Sequence, residues 1–555
     1  MNNINNKDNI KKIFIIIYGS LFVLFMHYFQ PNPGGQGIHI PFNATSWIAI
    51  GLIVFVGLYK ISKFKTVRYS KFTIIFFISC ILLTIPVFYS NARPSDAIYR
   101  IIGLWSGWLL FLVFQQFRFN KKECFLILWF IFIGTFIEAL YAWVQFKYFS
   151  FDNFFGYDTL VNRPYGIFQQ PNVMASFLAT GLAISGYLLS LMTKKFEIKY
   201  VYVILSPILF IPIITVLNSR TGWICSIISI LLILPFCFFY TKYRVYFSVW
   251  AGSLILGIVL SASSVTNESW NGGDNKLNFN SLRAIHIPQA FSMLLEKPLM
   301  GYGYGNFEKA YIEQTAEWHS TNSEEHPGIP ELTHPHNEIL YWGVEGGFLP
   351  LIAIFLVALS IIKNLSKFNL IKSLALISIL FPIVFHTMLE YPFYHSIIHW
   401  VILIVLIFFI DFISSSNSYY STVSFNKSIV IRIFNCLYFV FILIYMITSL
   451  YSGLQLNKFE SSRPYDIKYL ERVNNKISWQ MRYEWDMEIN KLRIGIQSNN
   501  HDLILNYIKW AKRKIIQHPK PNIYLSLIDA YDFIGDTNNY ERTKKEYQFL
   551  YPNNK

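Results

Sequence analysis

The sequence predicts an all-α polytopic membrane protein with about 12–13 transmembrane helices, a large outer loop carrying amphipathic helices, and a small helical C-terminal domain. Three observations predict it. Of 555 residues, 54% are hydrophobic and only 14% charged, against the roughly 25% charged that soluble domains carry. Apolar runs of about 18–25 residues recur, the length that crosses a hydrocarbon core about 30 Å thick. The net charge of +15 is gathered in short connections between those runs, where basic residues orient helices rather than meet nucleic acid.

In order, the expected spans are 13–29, 45–60, 72–90, 97–117, 124–146, 172–192, 200–217, 221–240, 245–262, 338–362, 372–389, 396–414 and 428–452. The first follows Lys7, Lys11 and Lys12. It lacks a small-residue cleavage site and leads into further spans, so an uncleaved helix is expected. With the N-terminus inside, the N-terminal segment, 60–71, 118–122, 194–199, 242–244, 363–372 and Lys427 share one side and hold about twenty basic residues. The short connections opposite hold about four, Arg93, Lys147, Arg163 and Arg220. That bias makes the second side the periplasm or exterior. It receives the loop 263–337 and the tail from 453.

The expected organisation is a membrane bundle (1–262), a periplasmic loop (263–337), further membrane helices (338–452) and a periplasmic helical domain (453–555). The loop contains SLRAIHIPQAFSMLLEKPL (281–299), amphipathic in pattern, and the glycine turn MGYGYGNF (300–307). Within the tail, residues 518–552 place aromatic, Gly and Pro residues as a tetratricopeptide-like helix pair does. Cys80, Cys124, Cys225, Cys237 and Cys436 have no paired spacing, so neither a disulfide framework nor a zinc site is indicated.

The same topology gathers a polar set on the outer side: NRPYGIFQQPN (162–172), NSRTGW (218–223), Arg283, HPHNE (334–338) and LEYPFY (389–394). Charges near hydrocarbon cost about 2.5–3.5 kcal/mol each on insertion scales, so they usually mark function. The plain alternative for a single arginine is snorkelling to the interface. Arginine's planar fork matches phosphate oxygens in two-point contacts. An imidazole with an ordinary pKa near 6.5 suits proton abstraction from a hydroxyl. No D-x-D occurs, so a metal-bridged nucleotide-sugar site is not indicated. A diphosphate leaving group held by arginines needs no metal, and membranes offer such a donor in a polyprenyl diphosphate carrying sugars. The expected chemistry is glycosyl transfer to an acceptor hydroxyl, with Arg163, Arg220 and Arg283 sharing the outer side with His336. Two bland roles stand beside it: Asn337 and Glu338 as helix capping residues, and VEGG (344–347) as a close-packing segment. A metal pair at His334 and His336 lacks a third ligand with convincing spacing, and His395 and His399, one turn apart, fit two ligands on one face but equally an interfacial packing role, which is the expectation.

The ordered set PNPGGQGIHIPFN (31–43), RPYGIFQQPNVMASFL, NSRTGW, EKPLMGYGYGNF, HPHNEILYWGVEGG and LEYPFYHS resembles the bacterial O-linked oligosaccharyltransferases of PglL type, within the O-antigen ligase and polymerase superfamily. The resemblance implies an undecaprenyl-diphosphate-linked oligosaccharide as donor. It implies Ser or Thr of a periplasmic protein, often a pilin, as acceptor, with no cofactor. It gives His336 the catalytic role and assigns Arg220 and Arg283 to the diphosphate. Gln170 and Tyr391 match active-site polar positions, Tyr394 lying one turn from Tyr391. Arg163 is a further donor-binding candidate, and His334, Asn337 and Glu338 are supporting ones. Three rivals remain: an O-antigen ligase acting on lipid A core, a polymerase of repeat units, and a transporter. A transporter would show inverted repeats and a polar path through the bilayer.

Overall fold

Helix starts are set locally by side chains that accept the first unpaired amides. Asn120 accepts from the amides of Lys122 and Glu123, and Glu123 returns a bond to the Asn120 amide. Ser219 and Asn369 cap Arg220–Tyr240 and Leu370–Thr387 in the same way. Proline opens Pro41–Phe64 and Pro171–Ser190, where its missing N–H has no helical partner to lose.

The computed structural model describes residues 2–192, 197–265, 283–321, 332–414 and 418–552. Among these, thirteen helices are long and apolar enough to cross a membrane, from Asp8–His27 to Phe425–Ser461. The chain is an all-α multi-pass membrane protein. The described strands form one antiparallel pair, Thr66–Tyr69 with Tyr419–Thr422.

Two expected boundaries are corrected. The tenth span was expected at 338–362, but the chain forms a separate helix Glu338–Gly346, turns at Gly347 (φ 72°), and only then enters Phe348–Leu365. The turn exists because segment 298–299 is packed against it. The Phe348 amide bonds the Pro298 carbonyl at 2.8 Å, and a Cβ at Gly347 would run into the Leu299 carbonyl. HPHNE therefore opens a short helix outside the span. The last span was expected to end at 452, but its helix continues unbroken to Ser461.

The chain divides into two compact units. The first comprises 1–80, 103–278 and 355–457. Its innermost helix is Pro171–Ser190, whose apolar window is 94% buried against 28% for Arg244–Ala262. Small residues make this possible: a Cβ on Gly181 would collide with Thr135, and one on Gly222 would sit 2.5 Å from Ala175. Helix packing in lipid gains from such close backbone approach.

Contacts in this unit sort the connections into two sets. Residues 66–69 pair with 419–422, Lys11 meets Glu123 at 2.8 Å, and Asn369 bonds the Tyr240 hydroxyl at 2.7 Å. At the opposite ends, Gln30 bonds the Leu450 carbonyl, Asn43 the His395 carbonyl, and Arg163 the Leu217 carbonyl. The connections that the alternation of thirteen crossings assigns to one side thus meet one another.

The second unit comprises 81–102, 279–354 and 458–555. Its helices include Arg283–Glu296, Phe307–Thr321 and Glu338–Gly346, followed in the tail by Gln480–Gln497, His501–Gln517, Pro521–Phe533 and Thr537–Leu550. The last two form the helix pair expected over 518–552. Its core gathers Met293, Leu294, Phe307, Tyr311 and Val344 with Tyr524, Tyr547 and Tyr551.

Candidate functional site

In the second unit the sequence HPHN folds into a tight turn. The backbone of His336 takes the left-handed conformation (φ 54°), uncommon for a residue with a side chain and therefore held by its surroundings. Its amide donates to the Nδ1 atom of His334 at 2.9 Å. Asn337 caps the following helix through the Leu340 amide. Because Nδ1 of the buried His334 accepts, its proton lies on Nε2, which faces Glu338 at 3.3 Å. Burial lowers the pKa of His334 and keeps it neutral. Burial alone would raise that of Glu338, but hydrogen bonds from His334 and Trp342 and the charge of Arg100 outweigh it and keep the carboxylate ionised.

Behind this turn lies a buried ion pair. Arg100 bonds Glu345 at 2.6 Å, with its guanidinium 4.2–4.5 Å from the ring centroids of Tyr304, Tyr341 and Trp342. Glu345 also accepts from the amides of Gly305 and Phe307. The glycine turn 300–307 is thereby fastened to the helix carrying HPHNE. Amides of Tyr302 and Gly303 bond the carbonyls of Val344 and Glu345, and a Cβ on Gly301 would collide with that same backbone. The expected close-packing role of VEGG is present, with a charge-pairing role for Glu345 added to it. Arg283 opens its helix, and its charge reaches His286 one turn on. The His286 ring lies 5.1 Å from that of His336.

The first unit assembles the other set. Arg220 is exposed at the first position of its helix, after the left-handed Asn218 and the capping Ser219. A helix start with a cation beside it favours an anion. Arg163 donates to the carbonyls of Leu217 and Asn218, at 2.8 and 3.4 Å, which brings it to the end of the helix just before Arg220. Gln170 is half-buried at the cap position of Pro171–Ser190. The next polar residue, Asn172, bonds Glu390 at 2.5 Å, and Glu390 also faces His386 at 3.2 Å. Tyr391 is half-buried and stacked on His395 with centroids 4.9 Å apart. Burial and then Glu390 raise its pKa, so its hydroxyl keeps its proton and acts as a donor. His399 bonds Ser176 at 3.1 Å.

Several supports escaped the sequence reading. Glu138 accepts from the Ile167 amide and meets His27 at 2.6 Å. Gln145 clamps both the N–H and the C=O of Gly166, whose φ of 60° and contact with Glu138 exclude a side chain. Asn43 is 1% exposed and bonds the carbonyls of Gly37 and His395 and the amide of Ile397. PNPGGQG is thus a turn with Gly34, Gly35 and Gly37 at positive φ, tied to the HS end of LEYPFYHS. A lone Glu138 or Arg100 inside an apolar run is a signal the sequence does offer; Asn43 and His286 carry none. The first unit therefore brings together Arg163, Arg220, Gln170 and Tyr391 with their supports, and the second Arg283, His334, His336, Asn337 and Glu338.

Each unit thus carries one polar centre, in the first unit cationic forks at a helix start and in the second imidazoles beside a carboxylate, and among the described residues thirteen helices are apolar enough to cross a membrane. Comparison with known families matches residues 205–356 to O-antigen ligase, 164–189 to protein glycosylation ligase, and 374–555 to the C-terminal part of a virulence factor membrane-bound polymerase. The chain is 28% identical over 406 residues, 70% of each sequence, to the ComP-specific O-oligosaccharyltransferase of Acinetobacter baylyi (strain ATCC 33305 / BD413 / ADP1). By these matches the chain is similar, in separate segments, to O-antigen ligases and to protein glycosylation ligases.

Proposed function

We propose that this chain transfers a preassembled oligosaccharide en bloc from an undecaprenyl-diphosphate carrier to Ser or Thr hydroxyls of periplasmic proteins, pilins among them. It works at the periplasmic face of the bacterial inner membrane and without a metal. His336 takes the proton of the acceptor hydroxyl as that oxygen attacks the anomeric carbon. The bond from that carbon to the diphosphate oxygen breaks, and the diphosphate leaves with the electron pair. Arg220 and Arg283 neutralise the developing charge, which is the work a metal would otherwise do. Direct displacement inverts the anomeric centre. Tyr391 and Gln170 serve as hydrogen-bond donors to donor or acceptor oxygens, and His334 and Glu338 position the base.

The observation that carries this reading is the construction around His336. A buried neutral imidazole, itself held by a carboxylate, fixes the amide of His336 in a strained conformation and leaves its ring half-exposed. Strain of this kind persists where the surroundings over-determine it, and it clusters at active sites. The match at 374–555 favours a second reading, polymerisation of repeat units. Mass spectrometry of periplasmic proteins and pilins with and without this gene, beside the lipopolysaccharide ladder, separates them. Loss of protein-linked glycan with an unchanged ladder supports protein transfer. A changed ladder with unmodified proteins in both strains overturns it.

A further inference from the structure

Five polar side chains of the first unit form a hydrogen-bonded relay whose direction follows from counting protons. As a carboxylate, Glu390 can only accept. Asn172 donates its Nδ2 to one carboxylate oxygen at 2.5 Å, and Nε2 of His386 faces the other at 3.2 Å. In the neutral His386 ring the proton therefore lies on Nε2, and Nδ1 presents a lone pair to the Ser176 hydroxyl at 2.7 Å. Ser176 has one proton to give, and the Val173 carbonyl at 3.1 Å is the farther claimant. The serine oxygen in turn accepts from Nε2 of His399 at 3.1 Å. His399, Ser176 and His386 are all fully buried, so Glu390 is held from inside the bundle by a neutral donor.

What the relay fixes is Asn172. A carboxylate decides which end of a carboxamide is the amine, so the carbonyl Oδ1 is turned away from Glu390. Asn172 is half-buried, and among the described residues its Oδ1 has no hydrogen-bond partner. It lies in the first turn of Pro171–Ser190. That helix packs tightly against the start of Arg220–Tyr240, where a Cβ on Gly222 would sit 2.5 Å from Ala175. Glu390 is near enough for its charge to act on Arg163, which bonds the Asn218 carbonyl two residues before Arg220. A carbonyl oxygen backed by a carboxylate repels phosphate and calls for a hydrogen-bond donor. In a lipid-linked oligosaccharide neither the hydrocarbon tail nor the ionised diphosphate supplies one; the sugar does. This inference rests on the reading of Arg220 as a ligand of the diphosphate. We propose that Asn172 is a specificity residue for the donor. Its Oδ1 accepts a hydrogen bond from a hydroxyl or amide N–H of the sugar attached to the diphosphate, and Glu390, His386, Ser176 and His399 are the positioning residues that aim it.

The test measures binding of two lipids by the full chain in nanodiscs, with no acceptor present: undecaprenyl diphosphate alone, and the lipid-linked oligosaccharide extracted from the producing cells. Wild type is expected to bind the sugar-bearing lipid more tightly. Asn172→Ala removes one neutral hydrogen bond to the sugar, so its Kd for that lipid rises about 5- to 10-fold while its Kd for undecaprenyl diphosphate stays unchanged. His386→Leu and the milder Ser176→Ala cut the relay and shift the ratio of the two constants in the same direction. His386→Gln, able to donate to Glu390 and accept from Ser176, restores it. Because the ratio is taken within each variant, a general loss of folded protein does not move it. Equal affinity of wild type for the two lipids, or a wild-type ratio in Asn172→Ala, overturns the inference. A wild-type ratio in both relay cuts overturns the positioning role. Undiminished binding of both lipids by Arg220→Ala overturns the underlying reading instead, whatever Asn172 does.

Discussion

The two units hold charge in opposite ways. In the second, Arg100 is spent: Glu345 neutralises it and three aromatic rings enclose it. In the first, Arg163 bonds backbone carbonyls and Arg220 stands exposed at a helix start, while the carboxylates Glu138 and Glu390 are engaged by imidazoles and neutral N–H donors. An arginine locked to a carboxylate has no fork left for a phosphate, whereas one held by carbonyls keeps its full charge. The difference separates an arginine spent as a strut, Arg100, from Arg220, the candidate to meet an anion, and leaves Arg163 between them. Outer location, which is all the sequence supplies, does not distinguish them.

The comparison is broken most directly at the two residues proposed to act on the substrate, His336 and Arg220. His336→Ala and Arg220→Ala should each reduce glycan transfer by about 10²–10⁴-fold in membranes that contain normally inserted protein. If both act in one transition state, the double variant falls less than the product of the single losses. Near-normal transfer by either single variant ends its assignment, and fully multiplicative losses assign the residues to separate steps.

How much of this was legible beforehand depends on the range of the interaction. The thirteen spans follow from apolar length and caps, both local, and the sequence placed them closely. The break at Gly347 was missed because it comes from segment 298–299, some 50 residues earlier, which no periodicity reports. Motif order nominated His336, Arg220, Arg283, Gln170 and Tyr391 as candidates. The struts Asn43 and Gln145 were invisible because a buried polar side chain has no periodic pattern; it is recognised only by its partner. Arg163 was legible as a charge, but its carbonyl partners were not.

The next largest effect tests the strut. Removing one member of a buried ion pair leaves an uncompensated charge, at a cost of about 3–5 kcal/mol. Glu345→Ala is therefore expected to lower the thermal midpoint in detergent sharply, while Glu345→Leu combined with Arg100→Leu recovers much of it. Arg220→Ala, exposed and, among the described residues, paired with no carboxylate, should leave the midpoint unchanged. If Glu345→Ala and Arg220→Ala have equal effects on stability, the contrast between strut and ligand disappears.

Acid should expose the second unit. His286 has its pKa pushed down to about 4 by burial and by Arg283 and His334, whereas in the unfolded chain it takes a proton near the ordinary ~6.5. Below that value the unfolded state binds the extra proton, so stability falls as pH drops from about 6.5 toward 4, by up to ~3 kcal/mol. His334, also depressed by burial, adds in the same direction. His286→Phe should flatten part of this slope in melts followed from pH 7 to 4.5; an unchanged slope means that other groups carry it.

The smallest expected effect decides whether Arg163 belongs with Arg100 or with Arg220. Its guanidinium caps the end of Ile198–Val216 through two carbonyls, where a cation also meets the negative end of the helix dipole. Lysine keeps the charge and can reach one carbonyl, so Arg163→Lys should cost about 1 kcal/mol of stability and only a few-fold of transfer. A fork that grips the diphosphate directly would not tolerate the change, because lysine cannot make the two-point contact. A loss near 100-fold at unchanged thermal midpoint, concentrated in KM for the lipid-linked donor, would move Arg163 from strut to ligand.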